Sequence, residues 1–108
     1  MTYPLQTKVI TLYTPIKDMR GNEITSLSMR EPQVRDRLKF SYIDGPEEQR
    51  DLAIIADLCN QPVEVLHDLS IADYKQLEDQ FIVFMVPPGR REALEKKMKS
   101  PNETSSEQ

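Results

Sequence analysis

At 108 residues the chain has the length of one domain with one modest core, and it leaves no room within it for a second. Its hydrophobic fraction of 38% lies a little under the globular norm, so part of the chain should stay unpacked. The net charge is −4, and one cysteine (Cys59) with one histidine (His67) excludes an intramolecular disulfide and a Cys/His zinc site, leaving both residues to structural roles.

Residues 7–13 alternate and are rich in β-branched side chains, with Ile10 and Leu12 on one face and Val9, Thr11 and Tyr13 on the other, which predicts a strand. Asp18-Met19-Arg20-Gly21-Asn22 supplies turn residues, and residues 23–30 alternate again, Leu27 and Met29 facing away from Ser26 and Ser28. Together these segments form a β-hairpin over 7–30. A lone two-stranded hairpin is marginal in water, so its apolar face must cover the helices that follow.

Pro32 suits the first turn of a helix over residues 31–41, in which Val34 and Leu38, four apart, form a thin inward stripe. Asp44 and Glu47 occupy the positions of a cap and its reciprocal acceptor, opening a helix that runs to Cys59. Its inner stripe is Leu52, Ile55, Ala56 and Cys59, widened by Ile54 and Leu58. Asn60-Gln61-Pro62 stops that helix and opens a short one through Leu66. Ser70 and Asp73 then make a capping box with Asp in place of Glu, and Leu69 and Tyr74 sit where a hydrophobic staple belongs. The helix they start should reach Val86, with Leu77, Phe81, Phe84 and Met85 on its stripe.

Residues 81–86 are apolar all round, more than one buried face requires. Pro87-Pro88-Gly89 ends the helix. Residues 87–99 offer only Ala93, Leu94 and Met98 for packing and predict a marginal helix; residues 100–108 lack any hydrophobic side chain and predict a disordered tail. The expected fold is α+β: a hairpin (7–30) packed on a small bundle of about four helices (31–86), forming one domain over 1–86.

Charge is sorted along the chain. Residues 1–43 carry seven basic and four acidic groups, residues 44–79 two and ten, and residues 80–108 five and four, for net charges of +3, −8 and +1. An acidic middle argues against nucleic acid, and the basic residues after Pro88 are interleaved with acids and lack an aromatic for base stacking. The middle is either a solvated helical face or a docking surface for a basic partner, or for the basic ends of a second copy. No run approaches the roughly 18–20 apolar residues that cross a bilayer, and Leu94 and Met98 are too few for a membrane-surface helix. Met1-Thr2-Tyr3-Pro4 has neither the charged nor the apolar part of a signal peptide, so the expected location is the cytoplasm.

Glu47-Glu48 and Glu78-Asp79 are ordinary surface charge, and Gly21, Gly45 and Gly89 are isolated rather than a phosphate-cradling loop. No catalytic, cofactor-binding or metal-binding residue is expected, and the chain should not be an enzyme. Its work should be binding another protein. Phe81, Phe84, Met85 and Val86 exceed core needs and are the candidate contacts; with the charge sorting they predict self-association as a dimer or larger ring.

With the elements placed, their order resembles the small tail assembly chaperones of Mu-like contractile-tailed phages over roughly residues 7–86. The resemblance rests on a hairpin leading through Ile24-Thr25-Ser26-Leu27-Ser28-Met29-Arg30-Glu31-Pro32, then Leu52-Ala53-Ile54-Ile55-Ala56-Asp57-Leu58-Cys59, a helix opened at Pro62, and Leu69-Ser70-Ile71-Ala72-Asp73-Tyr74 opening a helix that ends near Phe84. The chain departs from the family at Asn60-Gln61, where Thr-Gly is frequent, and at Arg35-Asp36, where a glycine is frequent. The resemblance implies a chaperone that binds the tape-measure protein, keeps it from aggregating, helps recruit tail-tube protein and then leaves. It would act in the cytoplasm of a host carrying the phage or a prophage and be absent from the mature virion. Two other classes compete: a structural tail or connector subunit of the virion, and a small regulatory protein-binding module.

Overall fold

Two antiparallel strands lead into the helices: β1 (Thr7–Lys17), β2 (Glu23–Arg30), α1 (Val34–Phe40), α2 (Glu47–Leu58), α3 (Val63–Leu66), α4 (Ile71–Phe84) and α5 (Pro88–Lys99). The computed structural model describes residues 5–99, so the tail expected over 100–108 lies outside the described residues. The α+β class is as expected, with four helices after the hairpin and α5 beyond them. One core joins both layers, with Ile10, Leu12, Ile16, Leu27 and Met29 from the hairpin meeting Phe40, Ile55, Leu58, Leu66, Leu77 and Phe84 from the helices.

β1 is longer than its alternating segment. Register runs one for one from Thr7↔Arg30 to Thr11↔Ser26, then resumes at Ile16↔Ile24, so β1 spends residues 12–15 where β2 has only Thr25. Pro15 falls inside this excursion, where no ladder hydrogen bond is asked of it. The turn is built by Asp18, whose carboxylate accepts from the backbone N–H groups of Arg20 (2.8 Å) and Asn22 (2.9 Å) while Gly21 takes φ 87°.

The excursion in β1 is held by α4. Ser70 caps that helix as expected, its Oγ accepting from the Asp73 N–H at 3.1 Å. The Asp73 carboxylate does more than meet its cap residue. It crosses to β1 and accepts from the backbone N–H groups of Tyr13 (2.7 Å) and Thr14 (3.0 Å), with further donors in Gln76 Nε2 (2.9 Å) and Ser70 Oγ (3.2 Å). Gln76 also donates to the Thr11 carbonyl at 3.0 Å. Burial of Asp73, the largest single effect, raises its pKa, but the donors from Tyr13, Thr14, Gln76 and Ser70 outweigh it and hold the carboxyl below its ordinary value.

α1 presents the face opposite to the one its spacing suggests. Asp36 and Phe40 are buried, whereas Val34 and Leu38 are 77% and 63% exposed. The cause is ionic. Arg30, at the end of β2, grips Asp36 with both guanidinium nitrogens (2.7 and 2.8 Å), and Asp36 also accepts from the Gln33 N–H at the helix start (2.8 Å). Arg30 and Lys39 both reach Asp57 on α2, at 3.4 and 3.2 Å. Hydrogen bonding from Arg30, reinforced by Gln33, brings the Asp36 pKa down to about 2 against the opposing effect of burial.

Pro46 rather than Asp44 occupies the N-cap position of α2, and no side chain caps it. Ile55, Ala56, Leu58 and Cys59 are buried, Leu52 and Ile54 partly so. Burial pushes the Cys59 thiol up to about 12, so it serves as an unreactive packing group. His67, at the end of α3, is exposed. The predicted stop after α2 is a Schellman turn: Asn60 sits at φ 57°, its N–H bonds the Asp57 carbonyl (3.0 Å) and the Gln61 N–H bonds the Ala56 carbonyl (2.9 Å).

Removing the Asp73 carboxylate orphans two backbone N–H groups of β1, so Asp73→Ala should cost about 2–4 kcal/mol in urea unfolding, against less than about 0.5 kcal/mol for Glu78→Gln, a half-buried residue of α4 at the groove. The acid limb has a definite sign as well. Asp36, Glu31 and Asp73 all have lowered pKa values in the fold, so their stabilisation is complete above the unfolded carboxylate range near 4 and is lost as pH falls towards 2. Thermal melts should therefore be flat from neutral pH down to about pH 5 and fall steeply below about pH 4, with a shallower fall for Asp36→Asn.

Candidate protein-binding surface

The four residues singled out at the end of α4 fall in different environments. Phe84 is buried in the common core. The Arg91 guanidinium lies 5.2 Å from its ring centroid. Phe81 and Val86 are partly buried, and Met85, which caps the helix, is 58% exposed. Ile82, which the stripe did not include, is 47% exposed. Glu78, Phe81, Ile82 and Met85 follow i, i+3, i+4, i+7 spacing and so share one face of α4.

That face borders an open groove of about 280 Å³ between α2 and α4. Ile54 and Ile55 of α2 and Phe81 and Ile82 of α4 form its apolar lining. Asp51, Glu78 and Lys75 complete it, and Lys75 is paired with Asp79 at 3.2 Å, so the charge left on the rim is negative. Tyr74, one turn before Glu78, registers that field: burial first, then the charges of Glu78 and Asp51, pushes its phenol up to about 12. Among the described residues no three His, Cys, Asp or Glu side chains gather as a metal site would require, and no helix is long and apolar enough to cross a membrane.

A second apolar surface lies on α1. Val34 and Leu38, turned outward by the Asp36 tie, are followed by Tyr42 in the turn just past α1, which is 84% exposed, so three exposed side chains four residues apart in sequence make an outward apolar ridge. Arg35 and Arg37, both exposed, flank it. Neither surface was legible from spacing alone. Phe40 and Asp36 also repeat at i,i+4 on α1, and the pairing of Asp36 with Arg30 decides which stripe turns in.

Arg91 is another side chain that sequence reasoning missed, because its partners other than Phe84 and Val86 are distant in the chain. It is buried. Nε donates to the Val86 carbonyl (2.9 Å), and the terminal nitrogens donate to Gln6 Oε1 (2.7 Å), Glu31 Oε2 (2.7 Å) and the Phe84 carbonyl (3.2 Å). Glu31 in turn accepts from the Gln6 N–H at 3.0 Å, and hydrogen bonding from Arg91 lowers its pKa below the ordinary glutamate value. Lys8 adds an ion pair to Glu95 at 3.5 Å. The helix expected to be marginal is thus tied to both ends of the hairpin, and it covers Phe84.

Fold and surface together define a small α+β protein whose distinctive features are open apolar surfaces with charged borders. The family model for phage tail assembly chaperone proteins, E, or 41 or 14, matches residues 9–85, and the chain belongs to that family. Membership implies that it binds phage tail proteins during assembly. The matched span runs from β1 to the end of α4 and leaves α5 outside it. Neither the curated proteins nor the solved structures contain a match.

Truncating Arg91 should free α5 before it unfolds the domain. In Arg91→Ala the amides of α5 should exchange with solvent at least about tenfold faster while those of α2 keep most of their protection, as hydrogen-exchange mass spectrometry would read.

Proposed function

We propose that this chain is a cytoplasmic assembly chaperone for the tape-measure protein of a Mu-like contractile-tailed phage or prophage. It holds the client's long helical, apolar surface in solution, helps bring tail-tube subunits to it and departs before the virion is complete. The observation that carries this reading is the groove between α2 and α4, an apolar cleft with a negative rim. Grooves of this kind receive amphipathic helices, whose apolar side chains enter at i, i+3, i+4 spacing while their charged borders set register and orientation. In this reading Phe81 and Met85, with Ile82 between them, touch the client, while Phe84 and Val86 support the strip from below. The chain contributes contact surface and no covalent step, so neither cofactor nor metal enters its action.

Co-expression with the tape-measure protein tests the reading directly. The client should become soluble and co-purify with this chain, and Ile82→Glu or Met85→Glu should weaken capture at least about tenfold, as replacement of a central apolar anchor does. Both positions are exposed, so the variants should keep the wild-type circular dichroism spectrum. Purified mature particles should lack the chain by mass spectrometry; stoichiometric presence there would make it a structural tail subunit instead.

A further inference from the structure

The apolar ridge on α1 and the apolar groove between α2 and α4 carry borders of opposite charge. Val34, Leu38 and Tyr42 project as a row of apolar side chains, and Arg35 and Arg37 stand on either side of it. The groove has an apolar lining that includes Phe81 and Ile82, and Asp51 and Glu78 lie on its rim. Among the described residues neither arginine takes part in an ion pair, whereas Lys39, the remaining cation of α1, is engaged with Asp57 inside the same molecule. The two unengaged positive charges therefore border the ridge, and the two unengaged negative charges border the groove.

We propose that the α1 ridge of a second copy of this chain fills the groove between α2 and α4, and that this self-association competes with client binding at the same place. Helix ridges packed into grooves are the ordinary way such surfaces meet. Insertion made reciprocally closes a dimer; made head to tail, it generates a ring. The competition rests on the proposed function, whereas the self-association stands on the two surfaces alone. The arrangement gives the chaperone a way to cover its apolar groove until a better ligand arrives, because a client helix that binds there must first displace α1 of the neighbouring copy.

Leu38→Glu destroys the ridge and leaves the groove, while Ile82→Glu does the reverse, and both replace exposed residues. In sedimentation velocity over a wide concentration range, the wild-type full chain should show a mass above the monomer that rises with concentration. Each variant should self-associate at least tenfold more weakly, with unchanged circular dichroism. Mixed in equal amounts, the two variants should recover a one-to-one complex, since each supplies the surface the other lacks. Arg35→Glu with Arg37→Glu should weaken the wild-type assembly, and so should raised salt. A wild-type chain that stays monomeric throughout overturns the proposal. So does an Ile82→Glu variant of wild-type mass beside a monomeric Leu38→Glu variant, which would mean that ridges pack on each other. Added tape-measure protein should dissociate the wild-type assembly, and a client that binds while the assembly keeps its mass removes the competition. A client that fails to bind at all counts against the proposed function and leaves the mass measurements on the chain itself to judge the self-association.

Discussion

The Asp73 carboxylate is the constraint on which the arrangement of hairpin and helices depends. A two-stranded sheet has two open edges and one apolar face, too little to stand alone in water. β1 adds a further difficulty by leaving its ladder over residues 12–15, which frees the N–H groups of Tyr13 and Thr14. Asp73 meets both at once, in the first turn of α4, where the helix dipole also favours an anion. The side chain is fully buried, yet it stays charged because four donors surround it. Once those bonds form, α4 is pinned along the edge of β1, and Leu77 and Phe84 lie in the core with Ile10 and Leu12.

Arg30 and Glu31 divide the remaining work. They are neighbours in the chain and send their charges in opposite directions, Arg30 to Asp36 and Asp57 and Glu31 to Arg91. The first set joins the hairpin to α1 and α2; the second joins it to α5. The sorted charge of the sequence therefore has two components. Asp57 and Asp73 belong to the acid excess of residues 44–79 but are consumed internally, while Asp51 and Glu78 of the same segment border the groove. A single count of acidic residues does not separate these uses. The partners of each carboxylate do.

The same distinction explains what was legible in the sequence. The hairpin, the Asp18 turn, the stop at Asn60 and the Ser70 cap could be read because each depends on residues close together in the chain. The buried stripe of α2 followed from periodicity. The face of α1 did not, because two stripes four residues apart compete there and the choice is made by Arg30 from the preceding strand. From sequence Arg91 belongs only to a marginal helix, because its partners Gln6 and Glu31 are 85 and 60 residues away. At the end of α4 the apolar excess was visible, but its distribution was not: the cover over Phe84 comes from α5, and the outward strip runs through Ile82.

A small chain with apolar side chains on its surface faces opposing demands, since each of them is one withdrawn from its own core. Here the polar ties relax that conflict. Asp73 and Arg91 join segments distant in sequence, and Arg30 joins β2 to the helix that follows it, through charge-assisted bonds at about 2.7 to 3.0 Å, so the orientation of α4, α5 and α1 does not rest on apolar packing alone. Val34, Leu38, Ile82 and Met85 can then stay outside. In α1 the link is direct, because the bond that buries Asp36 is the one that turns Leu38 towards solvent: on a helix of seven residues, fixing one face fixes the other. The ion pair that stabilises the fold thus also leaves an apolar face of α1 exposed.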